Sequence, residues 1–542
     1  MDLETSVKMG DLLTDSKKIA DIILAEFRTV LSEPEMDYDD DFFDFGGHSL
    51  LATRVIGKLI QHHHINISFN DFFVSPTAKG LAQKVSFDNL ITAKQRSQEL
   101  LASDSAPLSF AQDFLWQAYK YFNFDVIYNL PFAIKFHDYI NEDLMFKAFT
   151  DVLERHASLR TLFKTIEGTT TQYVVPVSNV AAYKWYWSSE ESKGFNLESE
   201  ATYRFNLAKE LPIRVCIFHD ALDGKQILSL LVHHMAIDEW SLNLLMTDLK
   251  FAYHEYSAGK KPKWEQPANN MLEFANLQQK QGVNKKHLEY WVNLLMAENK
   301  TNNNENELSQ FTTSTEADSL KLDFSPETYS QLMRFSKQYQ ISLFAILYTL
   351  ITISLLRAKD LESIIIGTSA SGRMDADFFD TVGYFTTMVA HPISFNQQKP
   401  IVDLIKETAK LINGSMMYAD IPINIIQDNL GLNIHSELMF DAYIHIHTNN
   451  ALYGTFNDVN GSKIYYEQIP PQKTVSMFGL HFEIMDNVTE DNQHLFKIII
   501  TYQKQRYDKQ FIETLSSKIA EITKWVAIDH HGIHQPLEIL NI

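Results

Sequence analysis

The sequence predicts a small all-α domain followed by a larger α/β domain with two lobes. In the first region, 15–88, apolar residues recur at helical spacing. From residue 107 onward, strand-like runs alternate with helical patterns, which is typical of layered α/β folds. A polar tract at 297–317 separates similar-sized halves, 107–290 and 318–542, and this predicts two lobes with a cleft between them.

Composition narrows the classes of function. The 542 residues carry a formal net charge of -21, which disfavours nucleic acid and anionic membranes as partners. Cys216 is the single cysteine, so the chain holds neither an internal disulfide nor a cysteine metal cluster. The charged N-terminus is unlike a signal peptide, and we expect a cytoplasmic protein. The most apolar stretch, Ile341–Leu356, is shorter than the roughly 20 residues that span a bilayer, and we expect a buried helix.

The small domain has the pattern of several short helices. The segments 17–31 and 50–64 have apolar residues on one helical face and flank a turn-rich acidic stretch. Near its end, Ser75 is the candidate N-cap of a last helix, with Pro76 at the first helical position. The mixed polar segment 89–106 is predicted to be a linker.

Ser49 is the candidate attachment site in the small domain. It follows Gly46, Gly47 and His48 and precedes a helical pattern. The two glycines permit a tight turn that exposes the hydroxyl at the start of a helix. Unpaired N–H groups and the helix dipole favour a phosphate there. An ordinary N-cap is the alternative interpretation.

A second candidate site follows a strand-like run in the large domain. The segment 233–241 reads His-His-Met-Ala-Ile-Asp-Glu-Trp-Ser and precedes a helical pattern. A histidine at the end of a buried strand projects into a cleft and is suited to proton transfer near neutral pH. A structural histidine is the alternative. The spacing differs from the common His-Glu-x-x-His zinc site, and we predict no metal.

The segment 39–59, DDDFFDFGGHSLLATRVIGKL, resembles the phosphopantetheine site of peptidyl carrier proteins. The resemblance covers 15–88 and implies a four-helix carrier domain. It implies that Ser49 carries 4′-phosphopantetheine, added by a phosphopantetheinyl transferase. His48 and Leu50 would be recognition residues at the helix start.

The large domain resembles the condensation domains of nonribosomal peptide synthetases, whose central motif is H-H-x-x-x-D-G-W-S. Four further motifs occur in the family's order: Leu108–Gln112 with Trp116, Arg155–Phe163, Ile366–Arg373 and Val382–Phe385. The resemblance implies two chloramphenicol-acetyltransferase-like lobes in a V. It also implies a tunnel that holds the histidine motif, with donor and acceptor entering from opposite sides.

The resemblance also implies roles for individual residues. His234 would deprotonate or orient the amine that attacks a thioester, and His233 would hold the loop. Asp238 is expected to be structural, paired with Arg373, because a buried carboxylate needs a partner. Ser109 and Trp240 are expected to be structural residues of the tunnel.

Glu239 departs from the family pattern, which has glycine at this position. In the expected fold it lies near the tunnel floor, where glycine leaves room for the acceptor. A carboxylate there would narrow the channel, bind a cationic amine, or point away.

Three functions other than condensation each predict a motif different from the one in this chain. Cyclisation domains carry D-x-x-x-x-D in place of the paired histidines, and this chain has His233 and His234. Epimerisation domains share the fold and follow carrier domains, but usually read Ser-Trp where this chain reads Trp240-Ser241. A non-catalytic module that recruits another enzyme would not need the intact motif.

The domain order implies partners. Without an adenylation domain, the carrier would be loaded by an upstream adenylation or condensation protein. The acceptor would be a soluble amine or a downstream carrier; we favour the amine because the sequence stops after the condensation domain. Similar arrangements occur in siderophore assembly lines of the vibriobactin and acinetobactin type.

Overall fold

The structure is a computed structural model that describes residues 16–85 and 104–539 apart from short gaps. The gaps are 32, 44, 46, 48, 64, 124, 265–267, 300–308, 311–314, 433–436, 449–450, 458–461, 471–472, 489–493 and 529–531. Residues 86–103 lie outside the described residues, and with them most of the predicted linker.

The first region folds as an all-α domain, as predicted. Its described helices are α1 (Ser16–Leu31), α2 (Ser49–His63), α3 (Phe69–Val74) and α4 (Ala78–Ala82). The rings of Phe27, Phe42 and Phe72 meet at centroid distances of 4.8–5.6 Å in its centre.

The predicted cap of the last helix was wrong by two residues. Thr77, not Ser75, caps α4, and its hydroxyl accepts from the Gly80 N–H at 3.0 Å. Ser75 instead ends α3, where its N–H donates to the Asp71 carbonyl. Pro76 therefore lies between the two helices, because the chain must turn before α4 begins.

The large domain alternates helices and strands along the chain. Its described helices are α5 (Phe110–Tyr121), α6 (Glu142–Arg155), α7 (Leu197–Ala201), α8 (Glu239–Ser257), α9 (Met271–Gln281), α10 (Lys285–Asn299), α11 (Pro326–Tyr339), α12 (Leu343–Lys359), α13 (Ile401–Ser415), α14 (Ile423–Asn429) and α15 (Lys509–Ile528). Its described strands are β1 (Ser105–Pro107), β2 (Asn129–Phe136), β3 (Thr161–Ile166), β4 (Thr169–Val174), β5 (Tyr186–Trp187), β6 (Ile213–His219), β7 (Gln226–His233), β8 (Ser309–Gln310), β9 (Ala317–Asp323), β10 (Ser363–Ser371), β11 (Thr386–Ser394), β12 (Glu437–Leu438), β13 (Ala442–Thr448), β14 (Gly454–Asn457), β15 (Lys463–Gln468), β16 (Leu480–Val488) and β17 (His494–Gln503).

Two six-stranded sheets form the two lobes. The N-terminal lobe has the order β14-β15-β2-β7-β6-β5, and the C-terminal lobe has the order β11-β10-β13-β16-β17-β9. Each sheet has its own apolar core. The predicted two-lobed α/β architecture is therefore present.

The lobes exchange segments, which the predicted boundaries 107–290 and 318–542 did not anticipate. Strands β14 and β15 come late in the chain but join the N-terminal lobe, where Tyr466 lies opposite Phe136 on β2. Conversely, Leu288 on α10, inside the predicted N-terminal half, packs against the core of the C-terminal lobe. A crossover depends on partners far apart in sequence, and local patterns do not encode it.

The most apolar stretch forms the central helix of the C-terminal lobe, as predicted. Every residue of α12 from Leu343 to Leu356 is buried, and α12 lies against α13 and α15. Within the described residues, no single helix has the length and apolar composition to cross a bilayer, although α11 and α12 meet that criterion together as a pair bent by 106°.

The small domain lies against the C-terminal lobe. Helix α2 contacts β10, and Gly57 on α2 lies beside the ring of Phe379. Phe379 is 3% exposed and belongs to the apolar core of the small domain. At the edge of the contact, Lys337 Nζ lies 2.7 Å from a carboxylate oxygen of Glu33.

Candidate active site

The paired histidines lie where β7 leaves the sheet of the N-terminal lobe. β7 is buried along its whole length, which explains its continuous apolar sequence. A single 3₁₀ turn, His234–Ala236, then leads to Asp238, the N-cap of α8. The strand end and the helix start fix the loop from both sides.

His234 is held as a neutral imidazole. Its Nδ1 lies 2.7 Å from the carbonyl oxygen of Ile237, and its ring lies edge-on to Tyr384 at 4.9 Å. Burial lowers the pKa of His234, although the hydrogen bond to Ile237 opposes the shift. Because a carbonyl only accepts, the proton sits on Nδ1 and Nε2 keeps its lone pair.

His233 has a structural environment. Its Nδ1 accepts from the Met235 N–H at 3.1 Å, and its ring lies 4.6 Å from Tyr119 and 5.9 Å from Phe205. Burial lowers the pKa of His233 to about 3. The side chain is therefore neutral and holds the turn.

Asp238 and Arg373 form the expected ion pair. Arg373 is fully buried, and its Nη2 lies 3.0 Å from Asp238 Oδ1. Its Nη1 donates to the carbonyls of Phe378 and Thr381. Asp238 also accepts from the Ser241 N–H at 2.9 Å, so the pair joins the start of α8 to the C-terminal lobe.

Ser109 and Trp240 also hold elements together. Ser109 caps α5 in a reciprocal capping box with Gln112, and Gln112 Nε2 lies 3.4 Å from the Met235 carbonyl. Trp240 donates its indole N–H to the carbonyl of Phe379 at 2.8 Å. Both residues thus support the histidine loop or the surface against which the small domain lies.

Glu239 stands at the first position of α8 and contacts two histidines. Its Oε2 lies 2.9 Å from His445 Nε2, and its Oε1 lies 2.7 Å from His447 Nδ1. Burial opposes ionisation, but the charges of His447 and His445 outweigh it and hold the pKa of Glu239 well below its usual range. Both carboxylate oxygens thus have partners within the protein.

The sequence analysis missed His445 and His447. They alternate along β13 and therefore project from the same face of the sheet. Two histidines at this spacing were a visible signal, but nothing local indicated that the face meets Glu239 of the other lobe.

A cleft between the lobes lies beside these residues. Its wall includes Asp238, Glu239, Trp240, Thr368, Ser371 and His445. From the small domain, Arg54 reaches the same region: burial lowers its pKa, and the negative charge of Glu239 partly offsets that shift. The small domain therefore lies near one side of the cleft.

Ser49, the candidate attachment residue, is the first residue of helix α2. The first N–H groups of an α-helix lack partners within the helix, and this is the position at which a phosphate is favoured. A side chain at Gly47 would lie 2.3 Å from the Phe42 ring, so the turn requires glycine. His48 and the side chains of Ser49 and Leu50 lie outside the described residues.

Comparisons with known proteins agree with this geometry. Residues 102–540 match the condensation domain family, and residues 21–85 match the phosphopantetheine attachment site family. The chain therefore belongs to the condensation domain family, with a phosphopantetheine-carrying domain before it. Its cofactor class is 4′-phosphopantetheine.

Relatives at the sequence level are nonribosomal peptide synthetases. A probable non-canonical nonribosomal peptide synthetase, CymA, of Salinispora arenicola is 25% identical over 94% of this chain and 6% of its own length. A dimodular nonribosomal peptide synthase of Bacillus subtilis is 29% identical over 71% of this chain and 16% of its own length. The chain thus spans only a small part of these relatives.

Among solved structures, the X-domain from teicoplanin biosynthesis superposes with a TM-score of 0.65 at 16% identity. The superposition covers 81% of this chain and 98% of that domain. This likeness supports the fold of the two lobes.

Proposed function

We propose that this chain forms an amide, using His234 to position the amine that attacks a thioester presented from Ser49. The observation that supports it is the half-buried, neutral His234, whose Nδ1 donates its proton to the Ile237 carbonyl. Its Nε2 can therefore accept a hydrogen bond from an incoming amine.

The proposed reaction is a single acyl transfer. 4′-Phosphopantetheine on Ser49 supplies the thiol that carries the acyl group. The amine lone pair attacks the acyl carbon, the C–N bond forms and the C–S bond breaks. His234 Nε2 would accept a hydrogen bond from the amine, and the amine proton would end on the thiol that leaves. Because aminolysis of a thioester is downhill, we expect His234 to act more through orientation than through basicity.

The remaining site residues are proposed as supports. The Asp238–Arg373 pair and the neutral His233 fix the loop on which His234 lies. Trp240 and Ser109 anchor its surroundings. The domain limits 15–88 and 107–542 remain our proposal for the functional units.

For the partners, we propose a phosphopantetheinyl transferase and an upstream loading protein. The proposed acceptor is a soluble amine in a siderophore pathway, with a downstream carrier as the other candidate. We propose a cytoplasmic location because the chain has a single cysteine, Cys216, which fits a reducing compartment.

The test uses the full chain, converted by a phosphopantetheinyl transferase that transfers the acyl-phosphopantetheine of a synthetic acyl-coenzyme A. Candidate amines are added, and product is followed by mass spectrometry. His234→Ala should lower the rate of amide formation by about 100-fold, since misplacement of a reacting group costs on this scale. His219→Ala, an exposed histidine at the end of β6, is the control and should match the parent chain.

Three other outcomes have distinct meanings. Unchanged product with His234→Ala would contradict the role of His234 and favour a recruiting module. Inversion of the acyl stereocentre without amide would indicate epimerisation. Product that forms only with a second loaded carrier present would contradict the soluble acceptor.

A further inference from the structure

Three side chains from both lobes converge beside the cleft. Glu239 comes from the N-terminal lobe, and His445 and His447 come from β13 of the C-terminal lobe. The two imidazoles lie 4.4 Å apart by ring centroid. One ligand atom from each of the three residues lies within 4.8 Å of the other two. Glycine, the usual residue of the resembling motif at position 239, could not provide the third atom.

The spacing of these atoms suits one small cation. Around a tetrahedral zinc ion with bonds of about 2.0–2.2 Å, neighbouring ligand atoms lie about 3.3 Å apart. The Glu239 oxygens lie 2.7 Å from His447 Nδ1 and 2.9 Å from His445 Nε2. The two Glu239 distances would therefore lengthen by about half an ångström around a metal ion, and the two histidine nitrogens, already within 4.8 Å of each other, would settle at the same spacing.

The surroundings of His447 provide an independent reason. Its other nitrogen, Nε2, lies 3.3 Å from Glu483 Oε1, and Lys473 Nζ lies 2.5 Å from the same oxygen. Glu483 is 5% exposed, and its Oε2 has no hydrogen-bond partner among the described residues. A carboxylate that accepts from the second nitrogen of a histidine is the usual outer support of a metal-bound imidazole.

We propose that Glu239, His445 and His447 bind one divalent transition-metal ion of the zinc class. The ligands would be the Glu239 carboxylate, His445 Nε2 and His447 Nδ1, with Glu483 as the outer support. Two imidazoles and one carboxylate leave a coordination position open for water or a substrate oxygen. The ion would tie the two lobes together at the cleft, and this inference does not rest on the proposed function.

Zinc binding by equilibrium dialysis is the direct test. The protein should be untagged. The three consecutive histidines of the small domain, His62, His63 and His64, should be replaced by glutamine, because such a run binds metals by itself. We expect one equivalent of Zn²⁺ per chain by elemental analysis. Titration with Co²⁺ should give the visible bands of a four- or five-coordinate site.

Variants locate the site. Glu239→Gln and His445→Asn should each abolish stoichiometric binding, whereas His219→Asn, on an exposed strand end, should retain it. Glu483→Gln should keep the stoichiometry but weaken affinity about 10–100-fold, as expected for an outer support. Circular dichroism would establish that the variants are folded.

Two results would overturn the proposal. One is the absence of a stoichiometric ion in the folded parent protein after dialysis. The other is binding that persists unchanged in both Glu239→Gln and His445→Asn, which would put the metal elsewhere. Neither result bears on His234, so the proposed acyl transfer is tested separately.

Discussion

At the residue scale, the structure keeps several histidines neutral by burial. His391 lies in the core of the C-terminal lobe, 3.1 Å from the Tyr348 hydroxyl and 2.8 Å from Ser415 Oγ. Burial lowers the pKa of His391 to about 3, as it does for His233. As a neutral group, His391 forms hydrogen bonds with these side chains, whereas its protonation would place a charge in the core.

The buried histidines should make the fold sensitive to acid. An unfolded histidine binds a proton below about pH 6.5, whereas folded His391 stays neutral down to about 3. The unfolded state thus binds more protons, and stability falls as pH falls through this window. Between pH 7 and pH 5, each such histidine should remove about 2 kcal/mol of stability.

Substitution of His391 tests this linkage by urea unfolding at pH 7 and pH 5. In His391→Gln, the stability difference between the two pH values should shrink by about 2 kcal/mol relative to the parent chain. His219→Gln, at an exposed strand end, should leave the difference unchanged. An equal difference in all three proteins would contradict the assignment.

Substitution of Arg373 should be among the most destabilising changes in this chain. Replacement by methionine leaves buried Asp238 without its cation and the carbonyls of Phe378 and Thr381 without a donor. Breaking a buried pair in this way costs about 3–5 kcal/mol. Urea unfolding of Arg373→Met should show that loss, whereas exposed Arg334→Met should unfold like the parent. Equal stability of the two variants would contradict a structural role.

At the element scale, the crossover of β14 and β15 should stabilise the lobe that it joins. On β15, Tyr466 is 2% exposed and its ring lies 5.3 Å from Phe456, whereas neighbouring Tyr465 is 37% exposed. Loss of a large buried aromatic costs about 3–5 kcal/mol.

The two tyrosines provide a matched pair for that test. In hydrogen exchange, Tyr466→Ala should speed opening of β2, which lies far earlier in the sequence but pairs with β15. Tyr465→Ala, the same change on the opposite face, should leave β2 protected. Fast exchange confined to β14 and β15 would mean that the crossover adds little to the stability of the N-terminal lobe.

Most elements were predictable because their signals are local. The apolar run before His233 predicted β7, and the helical pattern after Trp240 predicted α8. The Asp238–Arg373 pair was predicted because a buried carboxylate needs a cation and because the resemblance to the condensation motifs includes Arg373. Local patterns were thus sufficient for the elements, whereas the pair also needed the family resemblance.

The missed features depend on chain segments that meet only in the folded protein. His445 and His447 become meaningful only when β13 faces the start of α8. The crossover of β15 onto β2 is likewise a pairing of distant strands. The cap at Thr77 was missed because both Ser75 and Thr77 fit the local rule, and only the end of α3 decides between them.

At the scale of the whole molecule, the two domains share a small apolar contact. The ring of Phe379 belongs to the core of the carrier domain and lies beside Gly57, while its carbonyl accepts from Trp240. Trp240 follows Glu239 at the cleft, so the residue that touches the carrier is fixed to the candidate site. Phe379 therefore contacts the carrier domain through its ring and the start of α8 through its backbone carbonyl.

Removal of the Phe379 ring should release the carrier domain without disturbing the site. Phe379→Ala keeps the backbone carbonyl that accepts from Trp240 but removes the apolar ring. In the docked arrangement Phe379 is 3% exposed. Burial of such a ring contributes about 1.5–3 kcal/mol, enough to shift a weak docking equilibrium about 10-fold or more.

X-ray scattering of the Phe379 variant should show a larger radius of gyration, and NMR should show faster tumbling of the carrier. Phe251→Ala, an exposed ring on α8, should leave both unchanged. If the Phe379 variant scattered and tumbled like the parent chain, the contact would not be what holds the carrier in place.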